Sequence, residues 1–258
     1  VSSYFLYFGI ILIANMLGAL SGMGGGVLIK PLFDLIGIHS VAEISFYASA
    51  AVLTMAIVST IKQWRNGMAL QARLAIYISL GSILGGLAGG KLLELLLASH
   101  MEDNMVLHIQ IIVTILTLGY AFLYSRFNWP SIHLKSSGWV LAVGFLLGGL
   151  ASFLGIGGGP INVALLMFCF RLPIKAAAVY SIITIFFSQF SKLAGIAIST
   201  GFASFDLSYL AVIIPAAICG GYFGAKLSGI WSEKKVVLVY QWMIIGVIFL
   251  NSFNLLTK

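Results

Sequence analysis

One glycine-rich cluster occurs twice in this chain, as Ser21-Gly22-Met23-Gly24-Gly25-Gly26 and as Leu154-Gly155-Ile156-Gly157-Gly158-Gly159, at corresponding places in its two halves. Glycine frees the backbone to leave the helical well, so each cluster breaks whatever helix precedes it. What surrounds the clusters is almost wholly apolar: 60% of the 258 residues are hydrophobic and 8% charged, with a mean hydropathy of +1.08. That is far outside the usual balance for a soluble domain. Backbone polar groups cannot stay unpaired in hydrocarbon, and the apolar stretches are long and unalternating, so they are helices and not barrel strands. The chain reads as an all-α polytopic membrane protein.

Apolar runs occupy residues 4 to 20, 27 to 38, 41 to 61, 70 to 97 and 105 to 125, then 138 to 154, 160 to 170, 174 to 199, 207 to 230 and 236 to 254. A full crossing takes about 20 residues, so the runs at 27 to 38 and 160 to 170 are short, and each directly follows a glycine cluster. A second motif also repeats: Gly85-Gly86 with Gly89-Gly90-Lys91-Leu92 returns as Gly220-Gly221 with Gly224-Ala225-Lys226-Leu227. The chain therefore divides into an N-terminal repeat (1–125), a polar, proline-containing linker (126–137) and a C-terminal repeat (138–258). Residues 4 to 20 read as a retained segment and not a signal peptide, for lack of a basic leader or small-residue cleavage site.

The formal net charge of +7 lies mostly in the connections, where it signals orientation and lipid contact, not nucleic-acid binding. Lys62, Arg65, Arg73, Arg126, Lys135, Arg171, Lys175, Lys226, Lys234 and Lys235 belong on the cytoplasmic face. The Glu102-Asp103 and Asp206 connections belong outside. Only an odd number of crossings per half satisfies every loop, which makes the repeats inverted and puts both termini outside a cell (inner) membrane. Two versions fit. Either each short run crosses, giving five crossings per half, or each forms a re-entrant hairpin with the run before it, giving three.

Each cluster opens a new helix, at Val27 and at Pro160, where proline suits the first turn. Unpaired amides and the helix dipole make such a start a positive pole without a formal charge, a fit for a small anion that must bind and leave. Ser21, Gly24, Gly25, Gly26, Gly157, Gly158, Gly159 and Asn162 are the candidates at the breaks. Ser181, Thr184 and Gln189, with Ser188, mark a polar face on the run from 174 to 199; Ser45, Tyr47, Ser49 and Thr54 form a less regular set in the first half. Ionisable groups inside spans are functional candidates by default, which brings in Lys192 as a counter-charge, Lys30 as a substrate contact or a side chain reaching the cytoplasm, and Asp34 and Glu43 for proton coupling or as partners of those lysines. The competing explanation is structural: glycines pack helices closely, serines bond their own carbonyls, Lys192 snorkels to the interface, and Asn15 links helices. Cys169 and Cys219 lack partners at ligand spacing, and His39, His100, His108 and His133 lie in or near connections as interfacial residues, so no metal, disulfide, cofactor or enzymatic site is expected.

At Ser21 to Pro31, Leu154 to Pro160, Gly90-Lys91-Leu92 and Ala225-Lys226-Leu227 the chain resembles the sulfite exporter TauE/SafE family of membrane permeases, over nearly its whole length. The resemblance implies movement of a small sulfur-containing or carboxylated anion such as sulfite, thiosulfate or an organosulfonate. Where that family often has Gly-Thr-Ser early in the helix after the short run, this chain has Val179-Tyr180-Ser181 and, in the first half, Ile44-Ser45-Phe46-Tyr47. The expectation is a secondary transporter, an exporter by alternating access, whose partners are its anion, the bilayer and a further copy of itself. An anion channel and a non-transporting structural subunit are the alternatives.

Overall fold

The structure, a computed structural model, describes residues 2–65, 71–99, 103–127 and 129–257. Among these the chain forms ten α-helices and no strand: α1 Ser2–Ser21, α2 Gly26–Ile36, α3 Val41–Arg65, α4 Ala72–Ala98, α5 Asp103–Phe127, α6 Ser137–Phe153, α7 Pro160–Phe170, α8 Ile174–Ser199, α9 Leu210–Ile230 and α10 Glu233–Thr257. A single 3-10 turn, Leu207–Tyr209, leads into α9. The helices follow the apolar runs closely because little else in the chain can satisfy backbone groups in lipid. Seven of the described helices are long and apolar enough to cross a bilayer; α6, at 17 residues, and the 11-residue α2 and α7 fall short. His100 and Glu102 lie outside the described residues, as does the side chain of Asp103.

Of the two crossing patterns that the sequence allows, the packing selects the hairpin. The Tyr7 ring, near the start of α1, stands edge-on to the Phe33 ring, near the end of α2, with centroids 4.6 Å apart. The short helix thus runs back alongside the long one. In the second half the Leu134 amide, just before α6, donates to the Cys169 carbonyl near the end of α7 at 2.9 Å, and Arg171 Nε donates to Ser131 Oγ at 3.2 Å. At 1.5 Å per residue, an 11-residue helix reaches only about 16 Å, half of a hydrocarbon core about 30 Å thick. The reversals need left-handed backbone, supplied by Gly22 (φ 77°) and Gly24 (φ 78°) in one tip and by Gly155 (φ 65°), Gly157 (φ 65°) and Gly158 (φ 109°) in the other.

Side chains of the late helices pin both hairpins. Tyr240 Oη on α10 donates to the Pro160 carbonyl at 2.6 Å, Asn254 Nδ2 to the Pro31 carbonyl at 2.9 Å, and Gln110 Nε2 on α5 to the Phe153 carbonyl at 2.6 Å.

The two halves interlock. Helix α4 packs chiefly on α6 and α1 on α9, while α3 and α8 lie side by side at the centre. The second repeated motif makes these seams. A Cβ on Gly85 would stand 2.8 Å from the Gly149 amide nitrogen, and one on Gly220 would stand 3.0 Å from that of Met16. Gly86 abuts the Ser188 carbonyl of α8 in the same way that Gly221 abuts the Met55 carbonyl of α3. Close backbone approach is how helices associate where lipid removes any hydrophobic drive, so these glycines pack and the cluster glycines turn. Large apolar side chains, among them Ile76, Leu116, Ile198 and Phe249, cover the outside, a surface suited to acyl chains.

Candidate functional site

The hairpin tips meet at the centre of the molecule. A Cβ on Gly24 would stand 3.0 Å from the Gly157 carbonyl oxygen and 3.2 Å from Ile185 Cδ1; one on Gly157 would stand 2.7 Å from Val52 Cγ1. Val52 and Ile185 are mid-helix in α3 and α8, so the tips sit at half-height with a wholly buried apolar seal of Val52, Met55, Ile182 and Ile185 around them. Several cluster amides are used internally: Gly24 N donates to the Gly18 carbonyl at 3.4 Å, Gly155 N to that of Ser152 at 3.2 Å and Gly157 N to that of Ala151 at 3.2 Å. Gly25 is the N-cap and Gly26 the first residue of α2, while Gly159, in extended backbone, precedes Pro160 at the start of α7.

Toward one face, a cavity of about 460 Å³ descends between α3, α4 and α8. Glu43 and Glu94 line it, together with Ser45, Gly90 and Lys192 deeper in. Lys192 is only 4% exposed, and its Nζ donates to Ser45 Oγ at 2.6 Å. Ser45 in turn lies against the second tip, where a Cβ on Gly155 would come within 2.6 Å of its Oγ. An ammonium is thus held beside a neutral hydroxyl, one contact away from a glycine turn. A buried cation is costly unless an opposite charge stands near it, and of the groups lining this cavity Glu43 and Glu94 carry that charge.

The remaining candidates divide. Lys30, also 4% exposed, donates to Gln110 Oε1 and, at 3.1 Å, to the Leu154 carbonyl, bridging from α2 to the second tip. Asp34 is buried one turn further along α2. Ser181 Oγ donates to the Gly22 carbonyl at 2.6 Å, tying α8 to the first tip. Ser21 Oγ bonds back to Leu17, Thr184 to Tyr180, Ser49 to Ser45 and Thr54 to Ala50, the structural use of such side chains. Asn162 is fully buried with neither amide atom partnered, as is Asn15; Gln189 donates to Ser188 Oγ at 3.3 Å and leaves its Oε1 unpartnered. Glu43 closes a capping box on α3, accepting from the Ser40 amide at 2.8 Å. His39 lies in the connection between α2 and α3, with its ring packed against Tyr7, Tyr47 and Tyr209 and its side chain 6% exposed.

Sequence reasoning passed over Gln110 and the depth of Ser45. A glutamine in the middle of an apolar run was the available signal for the first. The second depended on α3 and α8 meeting antiparallel, which no local pattern encodes.

The family model described as sulfite exporter TauE/SafE matches residues 7–254. A curated relative from Bacillus subtilis (strain 168), the probable membrane transporter protein YunE, is 30% identical over 105 residues, covering 41% of this chain and 37% of the relative. The aligned part is thus little more than a third of that relative. No solved structure matches the chain. With seven described helices able to cross a bilayer and a family match from Tyr7 to Asn254, the chain is a multi-pass membrane protein that belongs to the sulfite exporter TauE/SafE family.

Proposed function

We propose that this protein exports a small sulfur-containing or organic anion, such as sulfite, thiosulfate or a sulfonate, by alternating access between two inverted repeats (1–125 and 138–258) in the cell membrane. The observation that carries the reading is Lys192, nearly buried on the floor of a cavity that ends against the second glycine turn. The anion enters past Glu43 and Glu94 to the ammonium at the floor, with Ser45 as a neutral hydrogen-bonding partner and the tips beyond. Seal residues Val52 and Ile185 close the path at half-height, the arrangement of a carrier and not of an open pore. Movement of one hairpin against α3 and α8 would pass the anion across the seal, bringing Asn162 and Gln189 within reach. A membrane potential negative inside is worth about 2.3 kcal/mol per charge per 100 mV, which drives an anion outward without a coupled ion.

Flux of radiolabelled sulfite and of a sulfonate panel into proteoliposomes tests the reading. Saturable uptake with counterflow is expected, and Lys192→Gln should reduce it about thirtyfold or more, as loss of a buried charge partner does. Equal flux in wild type and variant, or no flux for any anion in the panel, would refute the assignment.

A further inference from the structure

At the opposite ends of α3 and α8 lies a second cavity, of about 400 Å³, lined by Lys62, Gln63, Lys175, Lys226, Ser228 and Gly229. Its position mirrors the first: one is built from the start of α3, the end of α8 and the end of α4, the other from the start of α8, the end of α3 and the end of α9. Their chemistry differs. Among the described residues, the first has carboxylates at Glu43 and Glu94 and one deep ammonium; the second gathers three lysines and no acidic residue. Lys62 and Lys175 are half-buried and Lys226 is exposed. Lys62 Nζ lies 5.7 Å from the centre of the Tyr222 ring, a cation–π contact.

The cavity also holds a polar group that has no reason to be there in a purely structural pocket. Gln63 is 2% exposed, and its Nε2 has no hydrogen-bond partner among the described residues. Leaving a buried amide donor unsatisfied is unfavourable, whereas an acceptor in the cavity would complete it. Three like charges brought to one concavity also repel one another until an anion arrives. Ser228, 3% exposed, adds a hydroxyl to the same wall.

We propose that Lys62, Lys175, Lys226 and Gln63 form an oxyanion-binding site separate from the Lys192 cavity. Its ligand is a tetrahedral oxyanion with several acceptor oxygens, either free in solution or carried on a phospholipid headgroup. Lysines act here as point charges that tolerate either source, and Gln63 contributes the directional contact. The site stands on its own lining and does not require that the other cavity carry transport.

The test uses the full chain in nanodiscs of neutral phosphatidylcholine, in the Lys192→Gln background so that the first cavity does not contribute. Titrated inorganic sulfate should raise the melting temperature, and Lys62→Gln/Lys175→Gln/Lys226→Gln should weaken the apparent affinity about tenfold, the order expected of three partly screened contacts. Gln63→Leu should weaken it as well while keeping the charge. If nanodiscs containing phosphatidylglycerol raise the melting temperature and abolish the sulfate response, with the same dependence on the lysines, the site is occupied by a lipid headgroup. If sulfate still binds in those nanodiscs, the ligand is the soluble anion. Sulfate and phosphatidylglycerol responses that are unchanged in the triple variant overturn the proposal. Should the triple variant fail to fold, Lys226→Gln, at an exposed position, decides: an unchanged response overturns the proposal. Absence of flux in the transport assay would leave this result untouched.

Discussion

Ser181 and Gly158 illustrate how much of this molecule rests on single atoms near the two tips. The Ser181 hydroxyl satisfies the Gly22 carbonyl at 2.6 Å in a fully buried setting. Ser181→Ala leaves that carbonyl short of a donor, and a loss of about 1–3 kcal/mol is expected, read as a lower melting temperature of the purified protein. Gly158 stands at φ 109°, and a Cβ there would come 2.6 Å from Ile185 Cδ1. Gly158→Ala therefore meets both backbone strain and the seal, costing about 1–3 kcal/mol from the strain alone. Outside the membrane, Asp206 caps the 3-10 turn, accepting from the Ser208 amide at 2.9 Å. Hydrogen bonds from Ser208 hold its carboxyl below the ordinary carboxylate range. A depressed folded-state value means that the cap contributes fully above the unfolded value and is lost as pH falls through the folded one. Protection of the Ser208 amide, taken relative to its intrinsic exchange rate at each pH, should fall below about pH 4, the ordinary carboxylate value, and should lose that pH dependence in Asp206→Asn.

Among elements, the seams between the repeats are the most vulnerable. Gly89 of α4 faces Gly149 of α6, where a Cβ would stand 2.9 Å from the Gly149 carbonyl carbon; Gly224 of α9 faces Ala19 of α1, whose Cβ would be 2.8 Å away. Neither contact ends on a flexible side chain. Gly89→Val or Gly224→Val should force the paired helices apart, with a loss of about 1–3 kcal/mol and early aggregation in size-exclusion chromatography. Gly119→Ala on α5, where nothing lies within 4 Å of the added carbon, should leave both properties unchanged. Glycine content alone does not predict these outcomes; what stands opposite each glycine does.

For the whole molecule, the antiparallel pairing of α3 with α8 places a cavity at each end of the pair. That arrangement makes opposite sides of the membrane distinguishable by labelling. On an otherwise cysteine-free background, Glu94→Cys should react with an impermeant thiol reagent added outside intact cells, whereas Gly229→Cys should react only after the membrane is opened. Labelling of both from the same side would contradict the inverted arrangement and the outside placement of the termini.

The fold was legible to the extent that its cause is local. Apolar length specified the helices, so that runs at 160 to 170 and 174 to 199 coincide with α7 and α8, and glycine spacing located both turns. The site was legible only in part. Lys192 stood out because a charge in an apolar run is rare, yet its partner Ser45 is 147 residues away, and Lys30 finds Gln110 at a separation of 80. Sequence by itself determined which segments are helical, where they break and which residues are costly to bury, because those properties depend on solvation and backbone freedom within a few turns. Tertiary structure alone decided that the short helices fold back, that the tips meet at half-height and that Lys192 faces a cavity, because each depends on which distant backbone comes close enough to exclude lipid.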